Sequence, residues 1–551
     1  MELISEFFRL DNLALFLSIF ICFFSALIIL YSFGFMQNRR DLFQYYTYIF
    51  LTFITSLGVV LSNNLVLFMV FWGFSGLLLY LLIGFGEKER TSATAKKAFI
   101  IIGGTDALML LGLAIIWRIT GSFQMDRAGI ALSSKSAILA YLCLAAGAFA
   151  KAGAVPLHTW VPDTAEDAPT PVTAFLPAAL DKLLGIYFLA RISLGIFHMD
   201  SFMNTFLMAI GSFTILAAVM MALIQHDFKR LLGYHAVSQV GYMVLGIGTG
   251  NAIGVAGGLF HMLNNAIYKS ALFLTSGAVE KRTGTTDLDK LGGLAKIMPI
   301  TFAAFLVASF AISGVPPLNG FFSKWMIYQG IIETASRGGH LWIVWLMAAM
   351  FGSALTLASF MKLIHAVFLG QPHTPHPTPH TRWQETASTM WIPPVILAVL
   401  CILFGVFAFN VPIRLFILPS IGSYVGFLGK WDSSIATILM LLGIAIGFII
   451  YLFGTAFKPK EADIFIGGEI LKEHPEMRVS GTEFYNTIGD IGFLRFIYKL
   501  AEKKFFDIYD VGAKITFGLN RVLRYIHNGV LPTYLAWCLL GMIVLFFILL
   551  R

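Results

Sequence analysis

Runs of about 20 apolar residues, the length a helix needs to cross a bilayer, follow one another along most of the chain. They lie near 13–34, 43–62, 65–84, 98–117, 137–156, 169–192, 202–224, 233–249, 253–277, 298–332, 340–369, 388–409, 432–456 and 531–550. In lipid every backbone N–H and C=O must be satisfied internally, so such runs become packed helices. Composition agrees: the 551 residues are 58% hydrophobic and 12% charged, with a mean hydropathy of +0.80. The expected fold is an all-α polytopic membrane bundle of about 13 helices over 1–456, at ~20 residues per crossing. A polar loop and a surface segment follow over 457–530, and an anchor helix over 531–551.

Two spans cannot be straight. The tenth is too long for one crossing and contains Gly314-Val315-Pro316-Pro317-Leu318-Asn319-Gly320, which must interrupt a helix. The fifth ends similarly at Gly153-Ala154-Val155-Pro156. Helix breaks at membrane depth free backbone groups, and they are tolerated where they line a cavity or bind ions.

Lysines sit where lipid-exposed charge is costly. Lys151, Lys182, Lys269 and Lys324 lie in or beside four different spans. Each buried ammonium costs about 2.5–3.5 kcal/mol on insertion scales, so four of them imply a charged track and an ion-conducting protein. His261 precedes Lys269 by two helical turns, so the two share a face, and histidine titrates near neutrality. Desolvation favours the neutral form of a buried lysine, as proton release requires. Structural alternatives remain for each: an ammonium satisfying loose carbonyls, a salt bridge at Lys182, a histidine bonded to a carbonyl.

Charge in the loops sets orientation. Arg39, Arg40, Lys88, Arg90, Lys96, Lys97, Lys229, Arg230, Lys281, Arg282, Lys290 and Lys296 fall in alternate loops. The opposite loops hold Arg118, Arg127, Lys135 and Arg191. The first set is expected to be cytoplasmic and the N-terminus outside. The net charge of +8 therefore reflects loop lysines and arginines, with no nucleic-acid partner implied. Cys22, Cys143, Cys401 and Cys538 are far apart, and there is no CxxC. Neither an iron–sulfur nor a zinc site is suggested, no cofactor is expected in this chain, and any electron carrier belongs to a partner. The stretch Gln371–His380 interleaves His373, His376 and His380 with prolines and reads as a polar loop, not a metal site. From Glu483 to His527, apolar residues at helical spacing alternate with lysines and arginines, an amphipathic segment lying along a membrane surface. Gly489, Gly492, Gly512 and Gly518 favour several short pieces.

Several blocks together resemble a known family. They are Lys151-Ala-Gly-Ala-Val-Pro-Leu-His-Thr-Trp-Val-Pro-Asp163, Gln225-His-Asp-Phe-Lys-Arg230, Ser238-Gln-Val-Gly-Tyr242, His261-Met-Leu-Asn-Asn-Ala-Ile-Tyr-Lys269 and Gly314-Val-Pro-Pro-Leu-Asn-Gly-Phe-Phe-Ser-Lys324. In this order they are similar to the antiporter-like subunits of respiratory complex I, Mrp sodium/proton antiporters and group 4 membrane-bound hydrogenases. The resemblance runs from about residue 11 to about 410. It implies two discontinuous helices related by an inverted repeat, broken at Pro156 and at Pro316 and Pro317. It implies a proton relay through Lys151, Lys182, His261, Lys269 and Lys324. It places Asp106 near the contact with an adjacent subunit, helix capping being the alternative. The surface segment and final anchor resemble the lateral element of the largest such subunits.

The chain departs from the family pattern. Trp72-Gly73 stands where the family has Trp-Glu, so the carboxylate that partners the first lysine is missing. Asp181, beside Lys182, is a candidate to replace it or else pairs elsewhere. Asn265 replaces a histidine seen in some members. The resemblance implies a proton-translocating subunit of a complex I-like or hydrogenase-type redox complex in a prokaryotic inner membrane, with other membrane subunits as partners. The alternatives are an Mrp-type Na⁺/H⁺ antiporter subunit, a scaffold with an inactive relay, or an energising partner for inorganic-carbon uptake.

Overall fold

In a computed structural model the chain is described over residues 6–39, 41–336, 338, 340–370, 385–423, 425–426, 433–453 and 481–550. It divides into two compact units, 1–491 and 492–551. The His-rich stretch and most of the polar loop after 456 lie outside the described residues.

The first unit is a helix bundle. Its elements are α1 (Asn12–Phe35), α2 (Leu42–Leu61), α3 (Leu65–Ile83), α4 (Thr91–Thr120), α5 (Lys135–Ala152), α6 (Trp160–Asp167), α7 (Thr170–Phe175) and α8 (Asp181–Arg191). Then come α9 (Ser201–Leu223), α10 (Phe228–Gly248), α11 (Ala252–Thr283), α12 (Pro299–Ser313), α13 (Asn319–Ser336), α14 (Trp342–Leu363), α15 (Ser388–Val406), α16 (Ser433–Phe453) and the short α17 (Asn486–Asp490). Among the described residues, ten helices are long and apolar enough to cross a membrane. The helices α10 and α11 are long enough too but interleave polar residues, because they form the interior. Side-chain caps start many of the helices: Asp11, Asn64, Ser134, Asp200, Asp227 and Asn251 each accept a first-turn N–H. A two-residue parallel pairing of Ile130–Ala131 with Phe197–His198 ties two loops together.

The centre of the bundle is α11, buried at every residue from Ile253 to Val279. It packs against α7, α8, α10, α12, α13 and α15. Its neighbours approach at glycines: a Cβ at Gly258 would meet Met243 O at 2.9 Å, and one at Gly257 would meet Ile327 N at 2.8 Å. Such backbone contact is how helices gain dispersion energy in lipid.

Both expected breaks are present, and they share a local pattern. Phe149-Ala150, Gly153 and Pro156-Leu157 at the first recur as Phe310-Ala311, Gly314 and Pro317-Leu318 at the second. Gly153 and Gly314 take φ of 81° and 82°, which only glycine adopts cheaply. The next amide returns to the phenylalanine carbonyl in each case, Ala154 N to Phe149 O at 2.8 Å and Val315 N to Phe310 O at 3.0 Å. The freed carbonyl of Ala150 accepts Trp160 Nε1 at 2.9 Å. At the second break Gly320 packs against the matching carbonyl, where a Cβ would lie 1.9 Å from Ala311 O. Counting α7 and α8 as one crossing, four crossings lie between the two broken helices, so these run in opposite directions, as an inverted repeat requires.

The span expected over 169–192 is more irregular than its apolarity suggests. A π-helical turn, Leu176–Leu180, separates α7 from α8, and another follows α8 over Ile192–Ile196. Pro177 sits inside the first, where a wider turn accommodates its missing N–H.

The second unit holds α18 (Gly492–Glu502), α19 (Ile508–Ile526) and α20 (Leu531–Leu549). Asp507 caps α19 by accepting Tyr509 N at 3.1 Å. The amphipathic stretch is thus broken at 503–507, while α19 runs through Gly512 and Gly518, two of the glycines expected to interrupt it. Propensity costs of about 1 kcal/mol per glycine do not stop a helix with a strong apolar stripe.

Candidate functional site

Lys151 lies in the last turn of α5, fully buried. Its Nζ donates to Ser75 Oγ of α3 at 2.5 Å and lies 5.1 Å from the centre of the Trp72 ring. Asp181 Oδ1 is 3.9 Å away, an ion-pair distance without a direct hydrogen bond. Trp72 turns its indole N–H outward to Asp106, at 2.9 Å. Asp106 lies in the middle of α4, so it is not a helix cap, and the Trp72 ring joins it to the lysine. Gly73 makes no contact with this cluster: a Cβ there would stand in open space, with no atom within 4 Å.

The next lysine follows directly. Asp181 and Lys182 open α8, just after the π-helical turn, and both are buried. Lys182 Nζ has no hydrogen-bond partner in the protein; it lies 5.9 Å from the Trp160 ring centre and against Gly153 of the first break. Asn265 of α11 donates to Ala178 O, a carbonyl of the π turn, at 3.3 Å, and its Oδ1 is left unpaired. The residue that replaces a histidine therefore tethers the central helix to the turn that aims Lys182. One helical turn further, Lys269 Nζ is buried with no protein hydrogen bond, flanked by Phe273 and Phe360 at 5.9 and 5.7 Å.

At the far end Lys324 of α13 reaches back across the second break. Its Nζ donates to Ile312 O at 2.8 Å and Ser313 O at 3.4 Å, the open C-terminal carbonyls of α12. Ser353 of α14 accepts from it at 2.8 Å, and the Tyr242 ring centre is 4.9 Å away. His261 belongs to this end. Its Nδ1 is 2.9 Å from Ser323 Oγ, beside Lys324, and its Nε2 is 3.0 Å from Gln239 Oε1. Helical spacing pairs His261 with Lys269, but the structure gives them different partners, because eight residues leave an angular offset that directs one toward α13 and the other toward α14.

The histidine beside Lys269 is His235 of α10, which the sequence reading did not single out. It is fully buried, its ring centroid is 4.9 Å from that of Phe360, and its Nε2 is 2.8 Å from Ser359 Oγ. The signal was present as His235 and Gln239, one turn apart in an apolar span. Lys362 was missed as well; it is buried and donates to Leu223 O and Gln225 O, both at 2.9 Å, at the end of α9.

Electrostatically the buried groups form one sequence. Lys151 feels Asp106 and Asp181, Asp181 feels Lys151 and Lys182, and Lys269 feels Lys182. His235 feels both Lys269 and Lys324, and His261 feels Lys324. Beside them lie buried polar atoms with no protein partner: Asp181 Oδ2, His235 Nδ1, Gln239 Nε2, Asn264 Oδ1 and both Asn319 side-chain atoms.

The half-helix α6, which follows the first break, is held at its far end by ions. Asp163 pairs with Lys97 at 2.7 Å, Glu166 with Arg90 and with Arg230 at 2.7 Å, and Asp167 accepts Thr94 Oγ1 at 2.7 Å. Lys229 pairs with Glu280 at 3.1 Å beside them. The α6 carboxylates thus anchor the half-helix to α4 and α10, and the Lys229–Glu280 pair ties α10 to α11 beside it.

A family model described as NADH:quinone oxidoreductase/Mrp antiporter, TM, matches residues 62–356. The chain belongs to this family. Among curated relatives, the Na(+)/H(+) antiporter subunit A1 of Staphylococcus haemolyticus (strain JCSC1435) is 33% identical over 420 residues, 72% of this chain and 52% of that protein. The subunit of the same name from Staphylococcus aureus (strain Newman) is 34% identical over 424 residues, again 72% and 52%. The chain thus spans about half the length of the curated relatives it matches. In fold it is similar to a chain of the Mrp complex from Dietzia sp. DQ12-45-1b, with TM-score 0.69 and 24% identity, covering 75% of this chain and 84% of that one. It is similar also to a chain of the membrane-bound sulfane sulfur reductase, an archaeal respiratory membrane complex, with TM-score 0.79 and 23% identity, covering 98% and 89%. The protein is an antiporter-like, multi-pass integral membrane protein, and its described residues are mostly helical.

Proposed function

We propose that this chain carries protons across a bacterial cytoplasmic membrane as one subunit of a multi-subunit complex, and that their movement is exchanged for a monovalent cation, Na⁺ first. The proton path runs from Lys151 through Lys182 and Lys269, past His235, to Lys324 and His261. The observation that carries this reading is the unbroken electrostatic sequence of fully buried lysines and histidines between the two helix breaks. Buried polar atoms without protein partners are ordinarily satisfied by water, which here would bridge one group to the next. Cation exchange is preferred to redox-driven pumping because the curated relatives are named Na(+)/H(+) antiporter subunits. The likeness to a respiratory complex, at 23% identity, speaks for the fold.

The test uses everted vesicles from cells lacking their own Na⁺/H⁺ antiporters, expressing the chain with the subunits encoded beside it. With an imposed pH gradient and no redox substrate, added Na⁺ is expected to dissipate the gradient, and Lys151→Ala and Lys324→Ala to abolish the response in assembled complex. No response to Na⁺, K⁺ or Li⁺, with gradient formation only on a redox substrate, would establish redox coupling instead. Normal transport by both lysine variants would remove the relay.

A further inference from the structure

We propose that Asp181 is the counter-charge of Lys151 in this chain, supplying from α8 the carboxylate that is absent at Gly73 on α3. This rests on the relay reading above. Asp181 is the carboxylate at ion-pair distance from Lys151, 3.9 Å, and both groups are buried to within a few per cent. What α3 offers the lysine is a hydroxyl, Ser75, and an aromatic face, Trp72. Asp106 acts on the lysine too, but its Oδ1 is taken up by the Trp72 indole N–H. Asp181 Oδ2 has no hydrogen-bond partner in the protein, so nothing competes with the lysines for its charge.

The position has a consequence for the proton. The π-helical turn Leu176–Leu180 ends at Asp181, and Lys182 follows it on the same helix. With the proton on Lys151, the carboxylate faces that ammonium. When the N–H bond on Lys151 breaks and one forms on Lys182, the same carboxylate stands one residue from the new cation. A counter-charge on α3 would be left behind by this step, whereas Asp181 neutralises both ends of it. Asp181 is thus a positioning residue for the first transfer.

The test is Asp181→Asn, alone and with Ser75→Asp, which returns a carboxylate to Lys151 from α3. Transport is measured in the assembled complex across a range of pH. Asp181→Asn is expected to lose roughly tenfold in rate at neutral pH and to move the half-point of the pH profile by about one unit toward acid, since the anion favours the charged lysine. Adding Ser75→Asp should return most of the rate and the original half-point. A merely structural role would move neither half-point. Wild-type rate and profile in Asp181→Asn, with Lys151→Ala inactive, would overturn the proposal and leave the relay standing. Wild-type transport in Lys151→Ala would remove both. If Asp181→Asn fails to assemble, it is compared in the two backgrounds Ser75→Asp and Ser75→Asn. Assembly and transport with the acid alone support the proposal, and equal behaviour overturns it.

Discussion

The pairing of Lys151 with Asp181 depends on how closely α8 approaches α5, and one glycine sets that approach. Gly185 lies four residues after Asp181, on the same face of α8. A Cβ at Gly185 would stand 2.6 Å from Ala152 N, 2.8 Å from Ala152 Cβ and 2.9 Å from Ala148 O. These are backbone and methyl atoms of α5 beside Lys151, so no side chain can swing away and the helices must separate. Restoring ordinary contact requires roughly 0.8 Å, and overpacking of this kind costs about 1–3 kcal/mol. At 3.9 Å and an effective dielectric of about 20 the pair is worth about 4 kcal/mol before desolvation. Lengthening it by ~0.8 Å removes about 0.7 kcal/mol, a roughly threefold change in the bias between charge states. Gly185→Ala is therefore expected to lower the detergent melting temperature and to slow transport about threefold in complex that still assembles. Gly147→Ala on α5 is the control, because its Cβ would meet the Met109 side chain, Sδ at 2.0 Å, and an unbranched methionine can move aside. If Gly185→Ala melts and transports like wild type, or if Gly147→Ala does equal damage to transport, helix spacing at this pair does not govern the step.

Three further outcomes follow from other parts of the site. His235→Gln keeps a polar side chain at Ser359 but removes the titratable ring beside Lys269; transport should fall by roughly a hundredfold with assembly intact, at the low end of what a positioned proton carrier contributes, and an unchanged rate would exclude His235 from the path. Ser353→Ala removes one of the acceptors at Lys324 while the Ile312 carbonyl remains, so transport should drop by roughly tenfold or more without loss of the fold, as the loss of one charged hydrogen bond of about 1.5–3 kcal/mol implies. Asp11 opposes its own ionisation through burial, but the two hydrogen bonds and the charge of Arg191, at 2.5 and 2.6 Å, outweigh this and hold its carboxyl below the usual range. Its contribution to stability is then complete above the ordinary value of about 3.9 and is lost as pH falls through the lowered folded value. Asp11→Asn should cost about 1–2 kcal/mol at neutral pH, allowing for partial exposure, and the difference from wild type should begin to narrow near about pH 4 and close only below the lowered folded value; a difference independent of pH would refute the charge argument.

The spans and both breaks were legible because their signals are local and strong: apolar length for one, Gly-x-x-Pro-Leu against a helical background for the other. The lysines were legible because burying an ammonium in lipid is costly enough to demand a reason. Partners were less legible. His261 and Lys269 share a helical face within one sequence window, yet Ser323 claims the first and the Phe360 side the second, and nothing local says that α13 and α14 stand at different angles around α11. His235 looked like any polar residue in a span until Ser359 and Phe360, more than a hundred residues away, came beside it. Gly73 was conspicuous as a missing acid, but which residues of α3 face Lys151 is fixed by the roll of that helix, and the answer is Trp72 and Ser75.

The two breaks share backbone geometry but hold their lysines by different physics. Lys151 stands before its break and depends on other elements for partners: a hydroxyl on α3, a ring, and a carboxylate on α8. Lys324 stands after its break and takes the carbonyl ends of α12, a partial negative charge of about half an electron that cannot titrate or bind an ion away. The carbonyl part of the field at Lys324 is therefore constant and only the neutral-or-cationic histidines His235 and His261 vary around it, while Lys151 faces an anion, Asp181, whose charge changes whenever it is neutralised, shifted or paired with another cation. Coupling to a second ion or to a neighbouring subunit must act through a charge that can change. On the proposed relay, the point of control is then expected at the Lys151 end, and substitutions that perturb coupling without stopping proton movement should cluster around α3, α5 and α8, not around α12 and α13.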